Sequence, residues 1–269
     1  MMKYGERLIM SKEHKQFIRK SKIKRIVVFS LQITLLFSLL FIWQVCADKS
    51  IVNSFISSSP KRVLETVVTL HNQHNLYHHI CVTLYETLIG FVCSLLLGLF
   101  LASLLWWFNT LFKVLEPYLT VINSLPKVAL GPIMLIWCGA NVKTIILMAI
   151  FISFIVVFTT MYQGFINIDY NQIKLIKSFG GTKWQVYKYL ILPGSYNTIL
   201  STLKLNISMC LIGVVMGEFL VSKEGIGYLI MYGSQIFNLD LVITGIDILS
   251  LVATLLYLTI CFLEKKIRK

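Results

Sequence analysis

Between Ile26 and Ala47 the chain carries no charged side chain. About 20 helical residues, rising 1.5 Å each, cross a hydrocarbon core roughly 30 Å thick, so a run of this kind reads as a lipid-spanning helix. Comparable runs recur at about Val82 to Trp107, Pro117 to Cys138, Lys143 or Thr144 to Gly164, Ser195 to Phe219 and Leu241 to Phe262. With 57% of its 269 residues hydrophobic and 14% charged, the chain is too apolar for one soluble domain. These features predict an all-α, polytopic membrane protein with six transmembrane helices. Val45-Cys46-Ala47 loosely resembles a signal-peptidase site. The apolar run, however, exceeds the roughly 7 to 15 residues of a signal peptide's apolar region, which favours a retained helix.

The formal net charge of +13 has to be read with its distribution. Lys and Arg gather at the ends of the apolar runs and form no stripe interleaved with aromatic residues, which speaks for membrane orientation and against nucleic-acid binding. Residues 1–25 alone hold nine of them. Six crossings place both termini on one side. That side collects eighteen Lys or Arg, and the other holds five: Lys49, Lys61, Arg62, Lys143 and Lys223. The positive-inside rule then makes both termini cytoplasmic, together with the loop at 169–193. The expected organisation is a basic cytoplasmic tail (1–25), a first transmembrane helix (26–47), an outer loop (48–80) and a five-helix core (81–269). Within the outer loop, Val63, Val67 and Leu70 suggest a short amphipathic helix at the membrane surface.

The loop from Asp169 to Pro193, DYNQIKLIKSFGGTKWQVYKYLILP, is a polar, basic interlude between two apolar spans. Its spacing predicts two short helices. Asp169 with Gln172 has the form of a capping box, and Gly180-Gly181 can supply the left-handed residue that ends the first helix. Thr182 with Gln185 repeats the cap, Trp184, Tyr187 and Leu190 or Ile191 recur at helical spacing, and Pro193 limits continuation. Helices this short are unstable alone in water, so both need a partner surface.

Elsewhere the reactive residue types give less. The cysteines Cys46, Cys81, Cys93, Cys138, Cys210 and Cys261 show no metal-ligand spacing and read as small apolar side chains. His71, His74, His78 and His79 could place three imidazoles near one helix face, but Glu65 is their one accompanying carboxylate, so they read as solvated interfacial histidines. No nucleophile triad, paired carboxylates or metal constellation points to an enzyme.

Several spans depart from plain apolarity. Gly90, Gly98 and Ala102 offer close-packing positions for helix contacts. Glu86 is either an interfacial carboxylate or part of a polar path. Pro126 and Pro132 interrupt the third span, and unwound backbone at membrane depth is tolerated where it is buried in protein or lines a cavity. The fifth span carries Lys204, Asn206, Ser208, Gly213, Gly217 and Glu218, polar groups that usually face a bundle interior or aqueous cavity. Lys204 could also snorkel toward the cytoplasmic face.

The 169–193 loop resembles the EAA loop of type I ABC importer permeases, the binding-protein-dependent transport inner-membrane family. Gly180 is followed by nine residues and then Leu190-Ile191-Leu192-Pro193, in that loop's order. Lys174-Leu175-Ile176 stands where the family has Glu-Ala-Ala, a departure at its usual acidic contact. INSLPKVALGPIMLIWCG (122–139) resembles the family's P-x-x-A-L-x-P-x-x-x-x-W-F-G segment, with Cys138 in place of Phe. GEFLVSKEGIGYL (217–229) resembles its A-E…G-[IL]-G-Y-L segment, and Asp240 and Gly245 follow at familiar spacing. The match covers most of the chain from about Pro60 and is nearest the nitrate/sulfonate/taurine branch, which includes permeases for thiamine-precursor pyrimidines.

The resemblance implies a permease subunit that moves a small solute by alternating access. It also implies a second permease copy, two ATPase subunits and an extracytoplasmic solute-binding protein. ATP and Mg would be bound by the ATPase chains, and no cofactor is expected in this one. Gly180-Gly181-Thr182-Lys183 lacks the spacing of a phosphate-binding loop. Coupling to the ATPase is expected at Lys174, Ile176, Phe179, Gly180, Thr182, Trp184, Tyr187 and Pro193. The translocation path is expected at Asn123, Ser124, Pro126, Lys127, Asn206 and Glu218. Lys127 could attract an anionic solute or be held by carbonyls at the helix break. Two other readings are a secondary carrier and a non-transporting membrane assembly or sensor protein.

Overall fold

The structure, a computed structural model, describes residues 12–49, 58–73 and 75–267. The start of the expected basic tail, residues 50–57 of the outer loop, His74 and the last two residues lie outside them. Residues Met1–Arg62 and Val63–Lys269 form two separately compact units.

In the first unit, α1 runs from Lys12 to Asp48. It is longer than the expected span because the basic segment from Lys12 onward is helical too. Between Ile26 and Ile42 its described apolar side chains, Phe29, Phe37 and Phe41 among them, are exposed, while Trp43 and Val45 are half-buried and Ala47 is buried. Near its end Gln44 donates to Asp48 Oδ1 (2.9 Å) and accepts from the Lys61 backbone N–H (3.2 Å).

In the second unit every described element is helical. The expected amphipathic segment is α2 (Pro60–Asn72), which belongs to this unit from Val63 onward and has Val63 and Leu70 buried. α3 (Asn75–Trp107), α6 (Val142–Ile166) and α9 (Tyr196–Val221) pack along one another as the core. α10 (Ile226–Gln235) packs on α11 (Leu239–Ile267) and against α9. Small residues set the spacing of the core. A Cβ on Gly213 would stand 2.5 Å from Ala149 Cα, and one on Gly98 the same distance from Val157 Cγ1. In lipid, where apolar side chains gain little by leaving solvent, such backbone approach supplies dispersion contacts that hold helices together.

Among the described residues five helices, α1, α3, α6, α9 and α11, contain stretches long and apolar enough to cross a membrane. The expected third span is divided. α4 occupies Asn109–Ser124, so it begins well before the expected start of the span, and Pro117 lies inside it. Leu125 then turns extended (φ −67°, ψ 140°), as the ring of Pro126 requires of its predecessor. A 3₁₀ turn at Lys127–Leu130 follows, and α5 (Gly131–Cys138) restarts with Pro132 in its first turn, where its missing N–H leaves no hydrogen bond unmade. Neither half reaches spanning length alone.

Candidate functional site

The loop at 169–193 forms the predicted helical pair. Asp169 caps α7 (Tyr170–Ser178) by accepting from the Asn171 N–H (2.9 Å), without the reciprocal Gln172 contact a capping box requires. The helix ends in a Schellman motif: Gly181 N–H reaches Ile176 O and Gly180 N–H reaches Lys177 O, both at 2.9 Å. Gly180 supplies the left-handed residue at φ +79°. Thr182 and Gln185 then form a complete capping box.

The second helix, α8 (residues 183–194), does not stop before Pro193. It begins as α-helix at Lys183–Val186, widens into a π-helical turn at Tyr187–Ile191 and continues through Leu192–Gly194. A proline ring crowds the carbonyl four residues back and offers no N–H. The wider turn relieves that crowding and lets the chain pass almost directly into α9.

The expected coupling residues divide by orientation. Phe179 is 84% exposed and Trp184 58% exposed at the tip of the loop, and Leu175, Lys174, Thr182 and Pro193 also lie at the surface. Ile176 is half-buried; with Phe179, Gly180, Gly181, Gln185 and Tyr189 it lines a shallow depression of about 380 Å³. Tyr187 corrects the expectation that it docks outward. It is 8% exposed, its hydroxyl meets Ser103 Oγ at 2.5 Å, and its ring packs on Trp106 (centroids 5.2 Å apart) and edge-on to Phe165. The phenol therefore anchors α8 to α3. Lys183 strengthens the same attachment, donating to the Trp107 carbonyl with its ammonium over the Trp106 and Trp107 rings (5.6 and 5.3 Å).

Asn123 and Ser124 meet in a groove of about 390 Å³ between α4 and α6. Glu116, Thr120, Thr159, Thr160 and Gln163 line it with them, over an apolar floor of Phe112, Leu119 and Val156 beside Tyr162. Pro126 forms the break above it, and Lys127 folds back to donate to Asn123 Oδ1 (3.0 Å).

Asn206 and Glu218 stand apart from that groove, inside packed seams and shielded from solvent. Asn206 donates to the Phe91 carbonyl (2.9 Å) and accepts from Ser94 Oγ (2.8 Å), joining α9 to α3. Glu218 accepts from Thr83 Oγ1 (2.6 Å) and from the Gly227 N–H (2.5 Å). Ile226 N–H donates to Thr83 Oγ1 (2.8 Å) and Gly225 N–H to His79 Nδ1 (2.9 Å), so three successive amides of one turn are held by side chains. Buried polar groups of this kind must be satisfied internally, which accounts for their inward placement.

Lys204 neither snorkels alone nor meets the groove: it pairs with Glu264 of α11 at 2.6 Å. The histidines form no metal cluster among the described residues. His78 instead meets Glu224 (3.0 Å), a carboxylate distant in sequence.

The sequence reading missed Ser103, Thr83 and His79 as partners, and Thr159, Thr160 and Gln163 as lining. A signal was present for some of them. Thr83, Thr87, Gly90, Ser94, Gly98, Ala102 and Leu105 recur every three or four residues and, with Glu86 beside them, form the buried stripe of α3, of which only the smallest members stand out by composition.

Comparison with known proteins agrees with this architecture. The family model described as "Binding-protein-dependent transport system inner membrane component" matches residues 94–269. A probable ABC transporter permease protein of Haemophilus influenzae is 30% identical over 84% of this chain and 91% of its own length. The formylaminopyrimidine transport permease protein ThiX of Halalkalibacterium halodurans is 27% identical over 87% and 94%. The taurine transport system permease protein TauC of Escherichia coli is 24% identical over 88% of each chain. Among solved structures, an inward-facing MetNI methionine ABC transporter superposes with a TM-score of 0.61 at 16% identity, covering 69% of this chain and 92% of that one, which shows a shared fold. The chain belongs to the binding-protein-dependent transport system inner membrane component family and is an ABC importer permease subunit.

Proposed function

We propose that the 169–193 loop is the handle by which a cytoplasmic ATPase drives this permease. The observation that carries the reading is the exposure of Phe179 and Trp184 at the tip of a loop whose backbone is fixed by its own caps and whose root is fixed by Tyr187 and Lys183. Large aromatic side chains held rigidly in solvent are characteristic of docking anchors. Rigidity at the root matters as much, because a handle transmits force only if moving it moves α3 and α9.

In this reading the loop and both termini are cytoplasmic, two permease copies pair, and two ATPase subunits each grip one loop. A solute-binding protein delivers the solute from the other side, and closure of the ATPase dimer biases the bundle between two states. ATP and Mg stay in the ATPase chains. The Lys174-Leu175-Ile176 sequence leaves the grip without an acidic contact there, so it rests on aromatic surface and on Lys174, whose ammonium lies over the Tyr170 ring (4.7 Å).

The path runs along the α4–α6 groove, with Asn123 and Ser124 in its wall and Pro126 and Lys127 at the helix break beside it. Its lining is mostly hydroxyl and amide groups with Glu116 as its charged member. Such a wall suits an uncharged hydrogen-bonding solute, such as an aminopyrimidine, better than a sulfonate or nitrate. Lys127 is already engaged by Asn123.

The test is reconstitution of the complex in proteoliposomes with its ATPase and solute-binding protein. Gly180→Val places a β-branched residue at φ +79° with no steric neighbour within 4 Å, so the permease should fold while the loop is distorted. We expect ATP-driven uptake to fall at least about tenfold, the effect of a coupling change of roughly 1.4 kcal/mol. Unchanged uptake would overturn the assignment.

A further inference from the structure

Glu116, Thr120, Asn123 and Ser124 fall on successive turns of α4 and are all exposed, a polar face that lines the α4–α6 groove. The hydroxyl protons along this groove are already committed. Thr120 Oγ1 donates to the Glu116 carbonyl and Ser124 Oγ to the Thr120 carbonyl, both at 2.9 Å. On α6, Thr159 Oγ1 donates to the Ile155 carbonyl at 2.8 Å and reaches that of Val156 at 3.1 Å. A hydroxyl has one proton and two lone pairs, so what these three groups can still offer an incoming solute is lone pairs. Asn123 Oδ1 is taken by the Lys127 ammonium (3.0 Å), and that side chain contributes its amide N–H groups. Thr160 and Gln163 can serve in either direction.

Glu116 tips this balance further. It is the one charged residue of the lining, and its carboxylate forms no ion pair or hydrogen bond among the described residues. A carboxylate only accepts, so acceptors outnumber donors on the groove wall. We propose, on the reading that this groove is the path, that Glu116 is a specificity-determining residue: the groove takes a nitrogen base that donates N–H groups to Glu116 and to the lone pairs of Thr120, Ser124 and Thr159.

The direction of the hydrogen bonds decides which solutes pass. A solute built of acceptors alone, such as a sulfonate, exchanges its water for lone pairs and a like charge, and it is rejected by what it cannot pair with. An amino group meets the reverse situation, and its bond to the carboxylate is charge-assisted whether the base is neutral or protonated. The floor adds a preference for flat molecules, because Phe112 stacks on Tyr162 with ring centroids 3.8 Å apart and presents aromatic surface to the groove. The Asn123 amide, two helical turns along α4 from Glu116, can then donate to a ring nitrogen or carbonyl of the same solute.

The test uses the full-length chain in lipid nanodiscs and ligand-observed NMR with three probes: 4-aminopyrimidine, its donor-free analogue 4-methylpyrimidine, and ethanesulfonate. The native chain should bind 4-aminopyrimidine at least about tenfold more tightly than either of the others, the discrimination expected from one charge-assisted hydrogen bond. Glu116→Gln should lose that preference, Glu116→Asp should retain more of it than Glu116→Gln, and Thr120→Trp, which fills the groove, should abolish binding. Equal binding of the two pyrimidines by the native chain overturns the proposal, as does stronger binding of ethanesulfonate, an unchanged preference in Glu116→Gln, or 4-aminopyrimidine binding that survives Thr120→Trp. A separate measurement addresses the path itself. In the complex with its ATPase, Ser124→Cys in a chain whose exposed Cys81 and Cys138 are replaced by Ser should react with a membrane-impermeant maleimide without nucleotide and be protected when the ATPase is trapped with ATP and vanadate. Protection together with an unchanged preference in Glu116→Gln would leave the path standing and remove Glu116 as its selector; labelling indifferent to nucleotide would remove both.

Discussion

Two turns in this permease look alike in sequence and differ in almost every physical respect. Gly180-Gly181 closes α7, and Gly225-Ile226-Gly227 opens α10; both place a glycine at positive φ. A Cβ on Gly180 would meet nothing within 4 Å, whereas one on Gly225 would overlap the Glu218 carboxyl group. The first turn is closed by its own neighbours, through Ile176, Lys177 and the Thr182–Gln185 box. The second is closed by His79, Thr83 and Glu218, residues of two other helices. The handle is thus a locally built unit presented to solvent, and the α10 turn is a junction that exists only when α3 and α9 are already packed.

Alanine at each glycine should separate the two cases most strongly. Gly225→Ala combines backbone strain with overlap against a buried carboxyl and should destabilise by about 3 kcal/mol or more, read as lost yield of monodisperse protein in detergent. Gly180→Ala carries backbone strain alone, about 1 to 2 kcal/mol, and should leave yield and melting profile near native. Equal losses at the two positions would break the comparison.

A smaller effect is expected where the handle meets the bundle. Tyr187→Phe keeps the aromatic packing on Trp106 and Phe165 but leaves Ser103 without its phenol partner, a cost of about 1 kcal/mol. Ser103 also donates to Leu99 O (2.7 Å), which softens the loss. The permease should remain folded, with ATP hydrolysis less tightly linked to uptake. Native coupling ratios in Tyr187→Phe would show that the root of the handle need not be rigid.

How far each region was legible follows from the same contrast. Both helices of the handle, the Thr182 cap and the Gly180 turn could be read because each depends on residues within a few positions of one another. The break at Pro126 was equally local. What could not be read depended on distant partners. Nothing near Tyr187 says that its hydroxyl meets Ser103, 84 residues away, or that its ring turns inward when α8 widens ahead of Pro193. Glu218 and Asn206 were recognisable as polar groups at membrane depth. Their burial in seams, apart from the α4–α6 groove, follows from Thr83, Ser94 and Phe91 on a helix more than 100 residues earlier. The start of α4 was misplaced for another reason: Pro117 suggests a boundary, yet a membrane helix can absorb a proline when its surroundings tolerate the missing hydrogen bond.

The central claim, that the exposed tip of the 169–193 loop is the grip for an ATPase, is tested most directly by affinity capture. The Phe179→Ala/Trp184→Ala permease and the native permease would each be used to capture the ATPase subunit that supports uptake in the reconstituted complex, in detergent and without nucleotide. Both aromatic side chains are exposed, so their removal should leave the permease folded. Loss of two aromatic anchors should weaken capture at least about 30-fold, the effect of roughly 2 kcal/mol at a docking hot spot. Capture at the native level by the double variant would contradict the account.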